Sequence, residues 1–141
     1  MTCFRVLLTL LLLSGALLAQ TSADESTNRC PPVCSNCNKQ SFSIRADDGK
    51  RFMLIVEFDE YRWGVTGTHW YRRAFVTYSG SCLWAYDVTY HKWQKTIEAW
   101  GDVRLRDGTG KQEHFDAVLL KIDHGTLTPI KLLTGKERSV F

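Results

Sequence analysis

The chain has 141 residues, of which 44% are hydrophobic, and a formal net charge of +3. This length suits one domain with a modest core, and the composition excludes the classes of disordered and membrane-embedded proteins for its mature part. The net charge is too small to favour polyanion binding by bulk electrostatics, so no nucleic-acid partner is expected.

Residues 1–19 have the pattern of a secretory signal peptide. A short, mildly basic start with Arg5 precedes an apolar run that includes residues 10–13, and small residues follow. The apolar stretch is shorter than the roughly 20 residues that a membrane-spanning helix needs. We therefore expect a secreted, extracellular protein without a membrane span, cleaved after Ala19 or Ala23.

Four cysteines follow this segment, at Cys30, Cys34, Cys37 and Cys82. An even number in an oxidising compartment predicts two structural disulfides. Two prolines between Cys30 and Cys34 would hold their α-carbons roughly 12 Å apart, beyond the reach of a disulfide. We therefore favour Cys30 with Cys37 and Cys34 with Cys82, while Cys34 with Cys37 stays an alternative. No histidine lies at zinc-ligand spacing from these cysteines, so no metal or other cofactor is expected.

Residues 20–39 form a polar, cysteine-rich segment without helical or strand periodicity, which we expect to be ordered only where the disulfides hold it. A β-domain is predicted at residues 40–141. Its first strand is predicted at residues 41–45. An Asp-Gly turn leads from there to a central strand at residues 51–58, which is apolar on both faces.

Two further strands, at residues 69–78 and 82–90, are rich in aromatic and β-branched residues. In the second strand the alternation predicts one core-facing set: Cys82, Trp84, Tyr86, Val88 and Tyr90. Residues 95–100 and 102–106 are predicted as two strands separated at Gly101.

Residues 112–122 fit both a strand alternation and a helical stripe. We favour a strand because the hairpin-forming Asp107-Gly108 turn precedes it. A last strand at residues 126–133 contains Pro129, which belongs at a sheet edge or a bulge. Together the seven or eight short strands predict an all-β fold, a single small antiparallel barrel or sandwich with a disulfide-pinned N-terminal segment.

All five tryptophans and all five tyrosines lie between positions 61 and 100, in a locally basic window. Aromatic rings stack on sugars, and neighbouring cations pair with sulfate, phosphate or carboxylate groups. The alternative is that these rings fill the core. The candidate ligand-binding residues are Trp63, Tyr71, Arg73 and Trp93, which we expect to be exposed, with Tyr71 and Arg73 on one strand face.

Catalysis is less favoured, because the four histidines are scattered and no catalytic motif is present. Glu113 and His114 with Arg104 or Arg106 offer an acid, a base and a phosphate clamp, although their spacing does not demand such a site.

The sequence therefore favours a secreted, disulfide-stabilised β-domain that binds an extracellular ligand or protein partner through an aromatic and basic surface. The alternatives are a small secreted hydrolase or nuclease, and a toxin, inhibitor or extracellular matrix component.

Overall fold

A computed structural model describes residues 37–137, which form eight antiparallel strands and one short 3-10 helix. The strands are β1 (Asn38–Arg45), β2 (Arg51–Phe58), β3 (Glu60–Trp63), β4 (Thr68–Tyr78), β5 (Ser81–His91), β6 (Thr96–Arg106), β7 (Gln112–Asp123) and β8 (Thr126–Leu132), and the helix is Gly135–Glu137. The predicted signal peptide at residues 1–19 lies outside the described residues, as does most of the segment at residues 20–39. Within residues 37–137, none of the helical structure is long and apolar enough to cross a bilayer.

All eight strands belong to one open sheet with the order β1-β2-β4-β5-β6-β7-β8, and β3 pairs with β4 beyond the end of β2. Apart from β3, strands that follow one another in the sequence are thus neighbours in the sheet, as in a meander. The all-β class and the strand number are confirmed. The predicted barrel or sandwich is replaced by a single open sheet, because all the strands lie in one sheet and β1 and β8 form its two edges.

The sheet curls, so that one of its faces encloses the core. Phe42 of β1 contacts Tyr90 of β5 with ring centroids 5.0 Å apart, and the Tyr78 hydroxyl of β4 donates to the Asp123 carbonyl of β7. Two strands separate the members of each pair in the sheet. Buried side chains from seven of the strands form one cluster on this concave face, and each fully buried leucine or valine contributes about 1.5–3 kcal/mol through burial.

A bulge in β5 changes which side chains of that strand face the core. The pairing with β6 shifts register between Trp84 and Asp87. Leu83 belongs to the core cluster before the shift, and Val88 belongs to it after the shift. The alternation therefore changes phase by one residue within the strand.

This phase change corrects the predicted core face of β5. Val88 and Tyr90 are buried in the core as expected. Tyr86 is exposed and Trp84 only partly buried, because both precede or lie within the bulge. Cys82 is buried but is not part of the core cluster.

β6 is one strand rather than the two that the sequence predicts. Gly101 and Asp102 have φ values of 81° and 46°, and the register with β7 shifts between Trp100 and Val103. The left-handed backbone takes up an extra residue without ending the ladder.

The last two strands agree with expectation. Residues 112–122 lie within β7, so the preference for a strand over a helix is confirmed. Pro129 is in the edge strand β8, next to a register shift, as its missing backbone donor predicts.

Cys37 and Cys82 are the cysteines within the described residues, and both are disulfide-bonded. No disulfide has both of its ends between residues 37 and 137. The predicted pairs Cys30 with Cys37 and Cys34 with Cys82 stay predictions, because Cys30 and Cys34 lie outside the described residues.

Candidate functional site

A groove of about 630 Å³ opens on the outer face of the sheet, opposite the core. Strands β4 to β7 contribute its lining, which consists of Phe75, Cys82, Trp84, Asp102, Arg104, Leu105, Arg106, Gln112, Glu113 and His114. Most of these side chains alternate along their strands with core residues, which directs them to the outer face. The groove therefore combines aromatic, cationic and acidic groups on one surface.

The register between the strands arranges most of the lining residues in two rows that run across the strands. Phe75 pairs with Trp84, Trp84 with Arg104, and Arg104 with His114, so that one row crosses four strands. The second row consists of Cys82, Arg106 and Gln112. Because directly opposed side chains in a sheet lie within contact distance, each row presents a continuous surface.

The first row continues to Glu57 on β2, which pairs with Phe75. The Glu57 Oε2 atom is buried and has no hydrogen-bond partner among the described residues. A buried carboxylate oxygen without a donor is costly, so this atom is an acceptor for any donor that reaches it.

The bulge in β6 brings Asp102 to the first row. Its Oδ1 atom lies 2.6 Å from His114 Nε2, and its Oδ2 atom accepts a hydrogen bond of 2.8 Å from Arg104. The hydrogen bond with His114, and then that with Arg104, lowers the pKa of the Asp102 carboxyl. The carboxylate is thus anionic and accepts a hydrogen bond from the Nε2–H group, which leaves His114 Nδ1 for another partner.

The two arginines of the groove differ in whether their charge is already paired with a carboxylate. The Arg104 guanidinium lies 5.6 Å from the centre of the Trp84 ring and is also paired with Asp102. Glu113 pairs with Lys111 at 3.2 Å. Within residues 37–137 no ion pair joins Arg106 to a carboxylate, so of these two arginines we expect Arg106 to engage an incoming anion more readily.

The four predicted ligand-binding residues do not line this groove. Trp63 and Trp93 are exposed at the ends of β3 and β5, and Arg73 is exposed and paired with Asp59 at 3.3 Å. The structure therefore does not bring these residues together with the groove, and the prediction that they bind a ligand stays a prediction.

Tyr71, which the sequence places on an exposed face with Arg73, is fully buried. Its hydroxyl donates to Gln40 Oε1 at 2.7 Å. The expected exposure is wrong because Arg73 has a φ of 48°, which breaks the two-residue alternation between the two side chains.

Tyr71 belongs to an aromatic cluster on the concave face, defined by Phe42, Phe58, Tyr61, His69, Tyr71 and Tyr90. The Tyr61 hydroxyl lies 2.8 Å from His69 Nδ1. Burial, and then the charge of Lys92, lowers the pKa of His69, so the neutral imidazole accepts a hydrogen bond from the Tyr61 hydroxyl. Burial also raises the pKa of Tyr90 to about 12.

The remaining histidines form structural pairs. His91 lies 3.0 Å from Glu98, and His124 lies 2.6 Å from Asp48, linking the β7–β8 turn to the β1–β2 turn. Within residues 37–137 no three histidine, cysteine or acidic side chains are grouped to hold a metal ion.

The sequence identified part of the groove. Glu113, His114, Arg104 and Arg106 were candidates for an acid, a base and a phosphate clamp, and they lie together in the lining. The sequence missed Asp102 and assigned Trp84 to the core. Gly101 was a signal for Asp102, because a glycine inside a strand pattern indicates a bulge.

Comparison with protein-family models, curated proteins and solved structures gives no significant match to this chain. The function is therefore inferred from the groove itself.

Proposed function

We propose that this domain is a binding protein whose outer groove holds a small organic anion with a ring or apolar part. The observation that carries the proposal is the row Phe75, Trp84, Arg104 and His114, with Arg106 beside it, in one open groove. The volume of about 630 Å³ falls among those of small-molecule sites.

The groove residues divide the recognition between two kinds of contact. Phe75 and Trp84 offer an aromatic wall to a ring or an apolar group. Arg106 offers a planar pair of donors that suits a carboxylate, sulfate or phosphate. A sugar that carries a carboxylate or sulfate has both parts, so acidic saccharides are the ligand class that we favour.

The proposal also includes export from the cell and disulfide bonds in the mature protein. The signal-type pattern of residues 1–19 supports export, and the disulfide-bonded state of Cys82 supports an oxidising location. Because Cys82 lies in the groove wall, its disulfide would hold that wall against the N-terminal segment. Mass spectrometry of the exported protein, with and without reduction, tests the cleavage and the bonds.

Calorimetric titration with a sulfated disaccharide and its unsulfated counterpart tests the binding. We expect the sulfated form to bind, and Arg106→Gln to weaken that binding about tenfold to a hundredfold. Arg62→Gln is the control, because Arg62 lies over Trp70 at 5.2 Å and outside the groove lining. Equal affinity for both sugars, or equal losses in both variants, would contradict the proposal.

A second candidate is hydrolysis of a phosphate ester, which the 2.6 Å contact between His114 and Asp102 favours. His114 would act as acid or base toward water, because the lining residues within 37–137 include no serine, threonine or tyrosine and Cys82 is disulfide-bonded. The test is turnover of a chromogenic phosphodiester by the wild type and by the variants His114→Gln and His124→Gln. His124→Gln is the matched control, because His124 lies at the same distance from Asp48. Turnover that His114→Gln alone abolishes would replace the binding proposal with this one.

A further inference from the structure

The three most exposed large hydrophobic side chains of the described residues lie at one end of the sheet. Val65 is 88% exposed, Trp63 76% and Trp93 71%. Trp63 ends β3, Val65 is in the β3–β4 turn, and Trp93 is in the β5–β6 turn. Single exposed apolar residues are ordinary, whereas a group of them marks an interaction surface.

The two turns contact each other. The Lys92 amide donates to the Gly67 carbonyl at 3.0 Å. A Cβ atom built on Gly67 would lie 2.5 Å from Trp93 Nε1, so the indole is seated directly on this glycine. Gly67 also has a φ of 69°, a backbone angle that residues with a side chain rarely adopt. The turns therefore form one unit, which we call the Trp tip: Trp63, Val65, Gly67, Lys92 and Trp93.

The Trp tip is basic as well as apolar. Residues 61–70 and 88–97, which contain the two turns and their strand ends, include Arg62, Lys92 and Lys95 but no aspartate or glutamate. The Lys92 ammonium lies 5.2 Å from the centre of the Trp93 ring. Indole rings beside lysine and arginine are typical of surfaces that lie at the headgroup level of a membrane.

We propose that the Trp tip binds the surface of an anionic lipid bilayer. Trp63, Val65 and Trp93 would enter the headgroup region, while Lys92 would face lipid phosphates and carboxylates. The charge of the two turns favours this occupant over an apolar protein partner, because an anionic surface complements cations that have no acidic neighbour in either turn. The proposal is independent of the outer groove, whose lining includes none of these residues.

Vesicle co-sedimentation of the mature protein tests the proposal. We expect binding to phosphatidylcholine vesicles that contain about one third phosphatidylserine, with a blue shift of tryptophan emission, and much weaker binding to phosphatidylcholine alone. The double variant Trp63→Ser, Trp93→Ser should bind at least about tenfold more weakly. Lys92→Gln should weaken binding to the anionic vesicles about fivefold.

The matched control is Leu132→Ser, which removes a side chain that is 68% exposed on the edge strand β8. Since Trp63, Trp93 and Leu132 are all exposed, we expect these variants to fold, and their thermal unfolding checks it. Binding that the tryptophan variant retains, or loses to the same degree as Leu132→Ser, would overturn the proposal. It would also be overturned if the wild type is a dimer without lipid that the tryptophan variant dissociates, because the occupant would then be a second copy.

Discussion

The two faces of the sheet use aromatic residues in opposite ways. On the concave face, the Tyr71 and Tyr61 hydroxyls are hydrogen-bonded, and ring centroids lie about 5–6 Å apart in one packed cluster. On the outer face, Trp84 contacts Tyr86 and Arg104 but borders an open groove. The difference shows that aromatic residues close together in the sequence divide between stability and recognition.

Backbone irregularities decide this division. Arg73, the stretch from Trp84 to Asp87, and Gly101 with Asp102 lie on three consecutive strands of the sheet, and each has a positive φ or a register shift. In β5 the register shift changes the phase of the side-chain alternation. In β4 the phase of the alternation changes near Arg73. The groove owes its Trp84 and its Asp102 to these irregularities.

The largest expected effect is on the concave side. Tyr71→Ala should lower the free energy of unfolding by about 3–5 kcal/mol, because it removes a fully buried ring and a hydrogen bond to Gln40. Trp84→Ala should lower it by about 1 kcal/mol, because that ring is only partly buried. Urea unfolding of the oxidised protein measures both values. Equal losses would mean that the two faces do not differ in role.

A smaller effect is expected at the bulge in β6. Gly101→Ala should destabilise the protein by about 1–3 kcal/mol, because Gly101 has a φ of 81° and a Cβ there would lie 3.1 Å from Tyr86 Cβ. Gly108→Ala is the control, since nothing lies within 4 Å of its Cβ position. Thermal unfolding compares them, and a Gly101→Ala variant as stable as the control would refute the role given to this backbone.

The lowered pKa of His69 makes the stability of the domain depend on pH. Because the pKa of His69 is lowered in the folded state, the unfolded chain binds more protons once the pH falls below about 6.5. The contribution of His69 to stability is therefore complete above that pH and decreases as the pH falls toward the lowered pKa. Unfolding free energies between neutral and mildly acidic pH measure this slope.

The matched variant is His69→Asn, whose amide oxygen can still accept a hydrogen bond from the Tyr61 hydroxyl and does not titrate. It should show a smaller loss of stability over the same pH range than the wild type. Identical slopes in the two proteins would contradict the account of a partly buried, neutral imidazole.

The smallest effect on stability is expected for Arg104→Gln. Its ion pair and its contact with Trp84 are exposed, so the loss should not exceed about 1 kcal/mol. Anion binding should nevertheless weaken, because Arg104 lines the groove. Arg62→Gln, which removes the comparable contact with Trp70, should affect stability similarly and leave binding unchanged. A larger effect of Arg62→Gln on binding would place the site elsewhere.

Much of the fold could be predicted from periodicity. The apolar run at residues 51–58 is β2 with the same bounds, and the hairpin turn before residue 112 identified β7 as a strand. β3 was missed because Glu60–Trp63 has only four residues, too few to show an alternation. The pattern also gave no reason to join the strands on either side of Gly101, because a left-handed bulge depends on backbone angles that the alternation does not contain.

The sequence predicted the cationic residues of the candidate site but not how they are arranged. Arg104 and His114 are in direct register across β6 and β7, a relation that their spacing along the chain does not reveal. Trp84 was assigned to the core because the alternation in β5 was extended through a bulge. Tyr71 was expected on the surface for the same kind of reason, next to Arg73.

Chemical-shift mapping of the backbone amides during titration with the sulfated disaccharide locates the bound ligand on the sheet. We expect perturbations that follow the transverse row, with the largest at Trp84, Arg104, Arg106 and His114 and none in the concave cluster around Tyr71. Perturbations confined to the concave cluster or to the Trp tip, with an unchanged row, would contradict the proposed function.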